Sequence, residues 1–284
     1  MLRGVASNKV SYAHCAETRA GQLVVRTLEN ATGRLGLIKR GAGIGDADFW
    51  ESTVQAYGLS LDVISGALAD IPKTGPLVVI ANHPYGILDG MMMGLILARV
   101  RSDFRILAND VFQNSDTLTH MVLPVAFEAT KAAQMVNIQT RKVARVHLGQ
   151  GGAIGVFPGG TVSTASNALG HPLDPEWGAF TARLITKSNA TVVPIYFEGH
   201  TSRMFQIASH LHTSLRFGLL INEFRKRVDT PVRVAIGKPI NPDEMKRREK
   251  DTREMMDFLR RSTYELSLKP IDASRYGYDF SQKR

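Results

Sequence analysis

The chain has a single cysteine in 284 residues, Cys15, which excludes a disulfide framework and fits a reducing, cytosolic setting. It also lacks a Cys/His cluster at ligand spacing and a His-Glu-x-x-His run. No dedicated zinc site is therefore expected, and no metal or resident cofactor is assigned. No apolar run approaches the roughly 18 residues that a spanning helix needs, and the N-terminus has no continuous apolar segment of the secretory kind. There is no Gly-x-Ser-x-Gly elbow, so a serine acyl-enzyme has no evident nucleophile. Repeats and low-complexity linkers are absent too. What remains is a globular composition, 44% hydrophobic and 21% charged, long enough for one large α/β domain with a substantial core. The net charge of +9 points to an anionic partner: membrane phospholipid, nucleic acid or an acidic carrier protein. The basic residues are scattered, with no aromatic-interleaved basic patch, so nucleic acid is not the expected partner.

The most informative stretch is Asn82-His83-Pro84-Tyr85-Gly86-Ile87-Leu88-Asp89-Gly90, directly after the apolar run Pro76-Leu77-Val78-Val79-Ile80-Ala81. That run, rich in β-branched residues, reads as a buried strand. His83 then sits where the strand stops, in a loop bent by Pro84 and Gly86 before a helical segment over 91–100. A carboxylate on one ring nitrogen fixes the imidazole tautomer and leaves the other nitrogen free to take a proton from a hydroxyl. Asp89 is the natural candidate for that carboxylate. The pair is half of a triad without its protein nucleophile, which makes a substrate hydroxyl the expected attacking group. Taken alone, a His-Asp pair fits equally well a histidine that only caps the next helix.

The rest of the chain alternates. Helices are predicted from Asp46, where Phe49, Trp50, Val54 and Tyr57 recur at near-helical spacing, and over 91–100, 130–148, 178–188, 205–225 and 243–268. Strands are predicted over 76–81, 104–108, 153–157, 191–197 and 232–236, with a short extended piece at 59–64. Residues before 46 read as a polar leader with a possible helix at 20–28 and a basic amphipathic patch at 35–40. This alternation predicts an α/β fold with a largely parallel central sheet flanked by helices, preceded by an N-terminal helical extension, with functional residues at strand ends. Pro194, inside the predicted strand 191–197, predicts an edge or a bend there.

At the next informative strand end, Phe157-Pro158-Gly159-Gly160-Thr161-Val162-Ser163-Thr164 forms a glycine-rich turn. Its amides and hydroxyls can converge on a phosphate or a developing oxyanion, although a Gly-Gly turn alone also fits an ordinary tight connection.

Together these segments resemble the lysophospholipid acyltransferase superfamily, over roughly residues 60–240. Asn82-His83 to Asp89 stands for its Asn-His-x4-Asp block, Phe157-Pro158-Gly159-Gly160-Thr161 for its Phe-Pro-Glu-Gly-Thr-Arg-Ser block, and Val193-Pro194-Ile195 for its last block. The resemblance implies residues 1–58 as a partly helical extension and 59–284 as an acyltransferase domain. It also implies a mechanism. His83 deprotonates the acceptor hydroxyl and Asp89 orients the imidazolium, while Asn82, Pro158, Gly159, Gly160, Thr161, Ser163 and Pro194 contribute to substrate binding. The acyl donor is acyl carrier protein or acyl-CoA, used as a substrate rather than a cofactor, and no acyl-enzyme forms.

Two departures stand out. Five residues separate His83 from Asp89 where the common pattern has four, which resembles the haemolysin-related and ornithine-lipid-synthase branch. The second block has Gly159 and Val162 where the family has Glu and Arg. Because that arginine is associated with the acceptor phosphate, its loss turns attention from lysophosphatidate to a phosphate-free acceptor such as a lyso-ornithine lipid. Arg99, Arg101, Arg105, Arg183 and Arg203 are candidate replacement cations. A protein of this kind is expected at the inner face of the cytoplasmic membrane, on an anionic surface. The stretch 205–227 fits an interfacial helix as well as a helix packed on the sheet. Met91-Met92-Met93 fits an acyl-chain tunnel as well as plain core. The alternative function is a non-catalytic, haemolysin-like membrane-binding protein.

Overall fold

A computed structural model describes residues 46–109, 120–126, 130–167 and 169–280. The candidate helix at 20–28 and the basic patch at 35–40 lie outside the described residues. The described elements are helix α1 (Asp46–Ala56), strand β1 (Ser60–Ser65), β2 (Leu77–Ala81), α2 (Ile87–Val100), β3 (Phe104–Asn109), β4 (Val122–Val125) and α3 (Lys131–Gly149). They continue with β5 (Ala153–Val156), α4 (Ala179–Ser188), β6 (Thr191–Phe197), α5 (Arg203–Leu211), α6 (Thr213–Arg225), β7 (Pro231–Ile236), α7 (Pro242–Lys246) and α8 (Thr252–Tyr264).

The strands form a seven-stranded sheet in the order β1-β7-β6-β2-β5-β3-β4. Strands β2 to β6 run parallel, whereas β7 is antiparallel to β6 and carries β1 alongside it. All five residues of β2 are buried, because helices cover both faces of the sheet. The period-two alternation of a strand divides its side chains between two cores. Leu77, Val79 and Ala81 join Phe49 and Trp50 of α1, the apolar face of α2, and Ile221 and Phe224 of α6. Val78 and Ile80 join Ala144 and Leu148 of α3, Ile185 of α4, and Met255 and Leu259 of α8. Each such aliphatic side chain, fully buried, contributes about 1.5–3 kcal/mol. Helix α1 is thus packed into the same core as the sheet, and Met91, Met92 and Met93 are core residues with at most 5% exposure.

Several elements differ from expectation for identifiable reasons. The stretch 205–225 is two helices, because His212 is extended (φ −160°, ψ 136°) and its Nδ1 accepts the Ser214 amide at 3.0 Å, starting α6 afresh. The stretch 243–268 is likewise divided, since the Asp251 carboxylate accepts the Arg253 and Glu254 amides at 2.9 and 3.0 Å and begins α8. Pro194 lies not on an edge strand but in β6, between β2 and β7. It is tolerated because pairing with β7 begins only at Ile195, and on that side the next bridge is Val192 with Ile240. The missing N–H therefore falls in a gap of the ladder. Strand β4 had no clear signal: it is four residues long and contains Pro124, which the sheet edge accommodates.

Candidate active site

Five parallel strands bring the ends of β2, β5 and β6 to one edge of the sheet, and the first two motif segments leave from there. Asn82 locks this edge. Its Nδ2 donates to the Phe197 carbonyl at 2.9 Å and its Oδ1 accepts the Phe197 amide at 2.7 Å, tying the end of β2 to the end of β6. Its amide group is thereby engaged with backbone, and what it does for the site is to fix the point at which His83 emerges.

Helix α2 starts at Ile87, earlier than its apolar run suggests, so Asp89 falls in the first helical turn. Its Oδ2 accepts the Tyr85 and Gly86 amides at 2.7 and 2.9 Å, capping the helix where its dipole favours an anion. The same oxygen lies 3.1 Å from His83 Nδ1. This is ion-pair distance without the alignment of a hydrogen bond: Nδ1 and Asp89 Oδ1 are both buried and without hydrogen-bond partners. Burial pushes the Asp89 carboxyl above its usual range, against the pull of His83 and the two amides. A proton arriving on His83 therefore gives this penalised carboxylate the cation it lacks. With Nδ1 buried and the side chain 17% exposed, Nε2 is the nitrogen available to a substrate. Gly86 makes the turn possible. Its φ of +76° is open to glycine, and a Cβ there would stand 2.9 Å from Val162 and 3.0 Å from Leu220.

The imidazole stacks on Phe157, ring centroids 4.2 Å apart, so the second motif forms one wall of the site. The Ser163 amide donates to the His83 carbonyl at 2.7 Å, which joins the two motif loops directly. Among the described residues, the Gly159 and Thr161 amides make no hydrogen bond and remain as donors. Ser163 is buried and its hydroxyl donates to Asp174, so it is not paired with His83. Pro158 is buried, and its carbonyl accepts the Gly178 amide ahead of α4. Pro194, mid-strand and paired with Ile80, is not brought to the site.

Asp174 carried no recognised signal beyond its place between two prolines, yet it organises the whole loop. Its Oδ1 accepts the His83 amide at 3.1 Å as well as the Ser163 hydroxyl, and its Oδ2 accepts the Trp177 indole at 2.9 Å. Its amide donates to Tyr264 Oη at 2.8 Å and its carbonyl accepts from Gly277 and from the buried Arg260. A Cβ on Gly159 would come 3.2 Å from Asp174, so the glycine that replaces the family's Glu gives Asp174 its room.

None of the five arginines read as substitutes for the one missing at Val162 bonds to the turn. Arg99 pairs with Glu51, Arg101 holds the Gly75 and Gly151 carbonyls at the opposite end of the strands, and Arg203 donates to the carbonyls of Leu169 and Gly170. Arg105 lies on β3 and Arg183 on α4. The cation that does reach the turn is Arg216 of α6. Its Nη1 donates to Thr164 Oγ1 at 2.6 Å and to Ser209 Oγ at 3.1 Å, and its Nη2 donates to Thr161 Oγ1 at 2.8 Å and to the Val162 carbonyl at 2.7 Å. The guanidinium also lies 4.4 Å from the ring centre of Phe280. Burial pulls its pKa down to about 9, which leaves it charged at neutral pH.

A cavity of about 580 Å³ opens at the same sheet edge, lined by Tyr85, Glu198, His200, Arg227, Arg233 and Tyr276 among others. His83 does not line it; Tyr85 and Leu88, from the loop and helix that carry His83 and Asp89, do. Beside the second motif, α5 packs Gln206 and His210 onto the Ser163 and Ala165 carbonyls, while its Met204, Ile207 and Leu211 stand exposed. No helix among the described residues is long and apolar enough to cross a membrane.

Residues 34–274 match the Acyltransferase family. A lyso-glycine lipid O-acyltransferase of Phocaeicola vulgatus is 25% identical over 200 residues, covering 68% of this chain and 68% of that protein. One from Bacteroides thetaiotaomicron is 24% identical over 200 residues, covering 68% of this chain and 70% of its own. The crystal structure of the 1-acyl-sn-glycerophosphate acyltransferase from Thermotoga maritima superposes with a TM-score of 0.49 at 16% identity, over 92% of this chain and 87% of that one. The family match begins before the first described helix and ends beyond the last, and on that basis the chain belongs to the Acyltransferase family, within the lysophospholipid acyltransferase superfamily that its motif blocks resemble, and is an enzyme that transfers acyl groups.

Proposed function

We propose that this protein moves a fatty acyl group from an acyl carrier protein or acyl-CoA thioester to the hydroxyl of a lysolipid, with His83 as general base. The observation that carries this reading is the imidazole at the strand end, its Nδ1 3.1 Å from a fully buried carboxylate, with no nucleophile among the described residues bonded to it. In the reaction, Nε2 of His83 takes the acceptor's O–H proton as that oxygen attacks the thioester carbonyl. In this reading the amides of Gly159 and Thr161, which make no hydrogen bond among the described residues, donate to the resulting oxyanion. The tetrahedral intermediate then collapses, the C–S bond breaks, and the imidazolium returns its proton to the leaving thiolate. Ester and free thiol balance the reaction.

For the acceptor, two observations favour a lysolipid with an amino-acid head group over lysophosphatidate. The arginine of the second motif is replaced by Val162, and both similar proteins are named for lyso-glycine lipid. The acceptor is met at an anionic bilayer at the inner face of the cytoplasmic membrane. Leu169, Met204, Ile207 and Leu211 stand exposed next to the second motif, with Arg203 and His210 among them, on a chain of net charge +9. Apolar side chains beside the Arg203 guanidinium match an anionic interface.

Purified protein, an acyl thioester and a panel of lysolipids in anionic or neutral vesicles, resolved by mass spectrometry, test this reading. An acylated lyso-aminolipid, formed faster on anionic vesicles, is the expected product. Absence of product from every lysolipid overturns the reading.

A further inference from the structure

Helices α3 and α4 carry charge of one sign. They contain Lys131, Arg141, Lys142, Arg145, Arg183 and Lys187 and not one Asp or Glu, in a chain that has 26 acidic residues. All six cations are exposed, and among the described residues none forms an ion pair. Elsewhere the surface charges are paired: Arg99 of α2 with Glu51 of α1, Arg247 and Arg248 with Glu244 of α7, and Arg253 of α8 with Glu176. Arg141 and Arg145, like Arg183 and Lys187, stand four residues apart on their helices, where like charges repel. A face built only to be solvated mixes its signs, as α7 does.

The same surface carries an apolar stripe. Met135, Ile138, Lys142 and Val146 follow the i, i+3, i+4 spacing of one helix face, and the three apolar members are 72%, 62% and 50% exposed. Arg141 and Arg145 form the next row toward α4, since the Arg141 guanidinium lies 5.6 Å from the centre of the Phe180 ring. Both helices cover one side of the sheet, with Ala144 and Leu148 of α3 and Ala182 and Ile185 of α4 in a single core. Helix α5 belongs to the other side, where its Phe205 joins the core of α2 and α6. A flat bilayer met through Met204, Ile207 and Leu211 of α5 therefore leaves this second face to another partner. Helix α3 follows the end of β4 and leads back to the start of β5, so its N-terminal half stands at the sheet edge from which the motif loops leave. Helix α4 begins at that edge too, because the amide of its N-cap Gly178 donates to the Pro158 carbonyl at 3.2 Å.

We propose that the outer face of α3 and α4 docks an acidic protein, the acyl carrier protein that presents the acyl thioester to His83. The fit is one of charge and of apolar contact. Rows of cations meet the carboxylates of an acidic surface, while Met135, Ile138 and Val146 supply the apolar centre that a protein interface buries. Acyl-CoA, the other donor class, brings phosphates but no protein surface to cover this stripe. A carrier seated here has its acyl arm at the edge where the motif loops stand. The inference rests on the acyltransferase reading above and narrows the donor within it.

The test supplies palmitoyl-loaded acyl carrier protein or palmitoyl-CoA as donor to the same lysolipid, with wild type, Arg141→Glu/Arg145→Glu and Ile138→Ser. Binding of the carrier without its acyl group is measured alongside by calorimetry. All three positions are exposed, so the variants should melt with the wild type. Reversing the two arginines is expected to raise the carrier's Kd, and the KM for the carrier-bound donor, about tenfold, with kcat and the KM for palmitoyl-CoA within about a factor of two. Ile138→Ser should raise the same two constants about threefold. Added salt should weaken carrier binding in the wild type and change it little in the reversed variant. An unchanged carrier KM in the reversed variant overturns the inference, as does an equal rise for both donors. Loss of binding to anionic vesicles in that variant, with the carrier's Kd unchanged, also overturns it and gives the face to the membrane. A wild type that transfers from palmitoyl-CoA but neither binds nor uses the carrier overturns it too, while the acyltransferase reading stands. No transfer from either donor, with carrier binding weakened by charge reversal as expected, overturns the acyltransferase reading and leaves the docking surface in place.

Discussion

Two carboxylates hold the loop that carries His83, both sealed from solvent, and the protein treats them in opposite ways. Asp174 has each oxygen engaged: the His83 amide and the Ser163 hydroxyl on one side, the Trp177 indole on the other. Asp89 has one oxygen capping α2 beside the imidazole and the other buried with no partner. A fully satisfied buried carboxylate stabilises its surroundings and has nothing left to offer a reaction. A buried carboxylate that is only partly satisfied keeps part of its desolvation cost, which an arriving positive charge recovers. The difference separates scaffold from chemistry: Asp174 fixes where the histidine stands, and Asp89 sets what happens when it takes a proton.

Substitutions should separate these two roles. The largest effect on folding is expected from Asp174→Ala, which leaves an amide, a hydroxyl and an indole without their acceptor and should cost about 3–5 kcal/mol in denaturant unfolding. An Asp174→Ala protein as stable as wild type would contradict the scaffold role. Asp89→Asn comes next. An amide oxygen still caps the Tyr85 and Gly86 N–H groups, so stability should hold within about 1 kcal/mol while acyl transfer falls about 10²-fold or more. The pH dependence follows from the upward shift of Asp89 from its ordinary value of 3.8. Between that value and its folded one, the folded state binds the proton that the unfolded state releases, so the wild type gains stability relative to Asp89→Asn as pH falls. The smallest loss of activity is expected from Gly86→Ala. The φ of +76° and contacts at 2.9 and 3.0 Å from Val162 and Leu220 should cost about 1–3 kcal/mol and reduce activity by tilting His83 away from Asp89.

The same contrast explains what the sequence disclosed. His83 and Asp89 lie in one short loop, and the strand before them is apolar throughout because the sheet is covered on both faces. Local spacing carried that much, along with the alternation that gives the parallel sheet. Asp174 and Arg216 act across long separations: 91 residues from Asp174 to His83, and 52 to 55 from Arg216 to the turn. No periodicity encodes such contacts. Arg216 falls inside the predicted helix over 205–225, which the extended His212 divides into two. Pro194 shows the converse, since a proline that signals an edge can sit inside a sheet where pairing on one side has a gap.

The central claim is that His83, oriented by a buried Asp89, takes the proton from the acceptor. Its most direct test is the initial rate of acyl transfer from an acyl thioester to a lysolipid by wild type and His83→Ala, with thermal unfolding of both measured in the same buffer. The account predicts equal melting temperatures and a rate reduced about 10²- to 10⁴-fold in the variant. A folded His83→Ala protein that transfers acyl groups at the wild-type rate would contradict it.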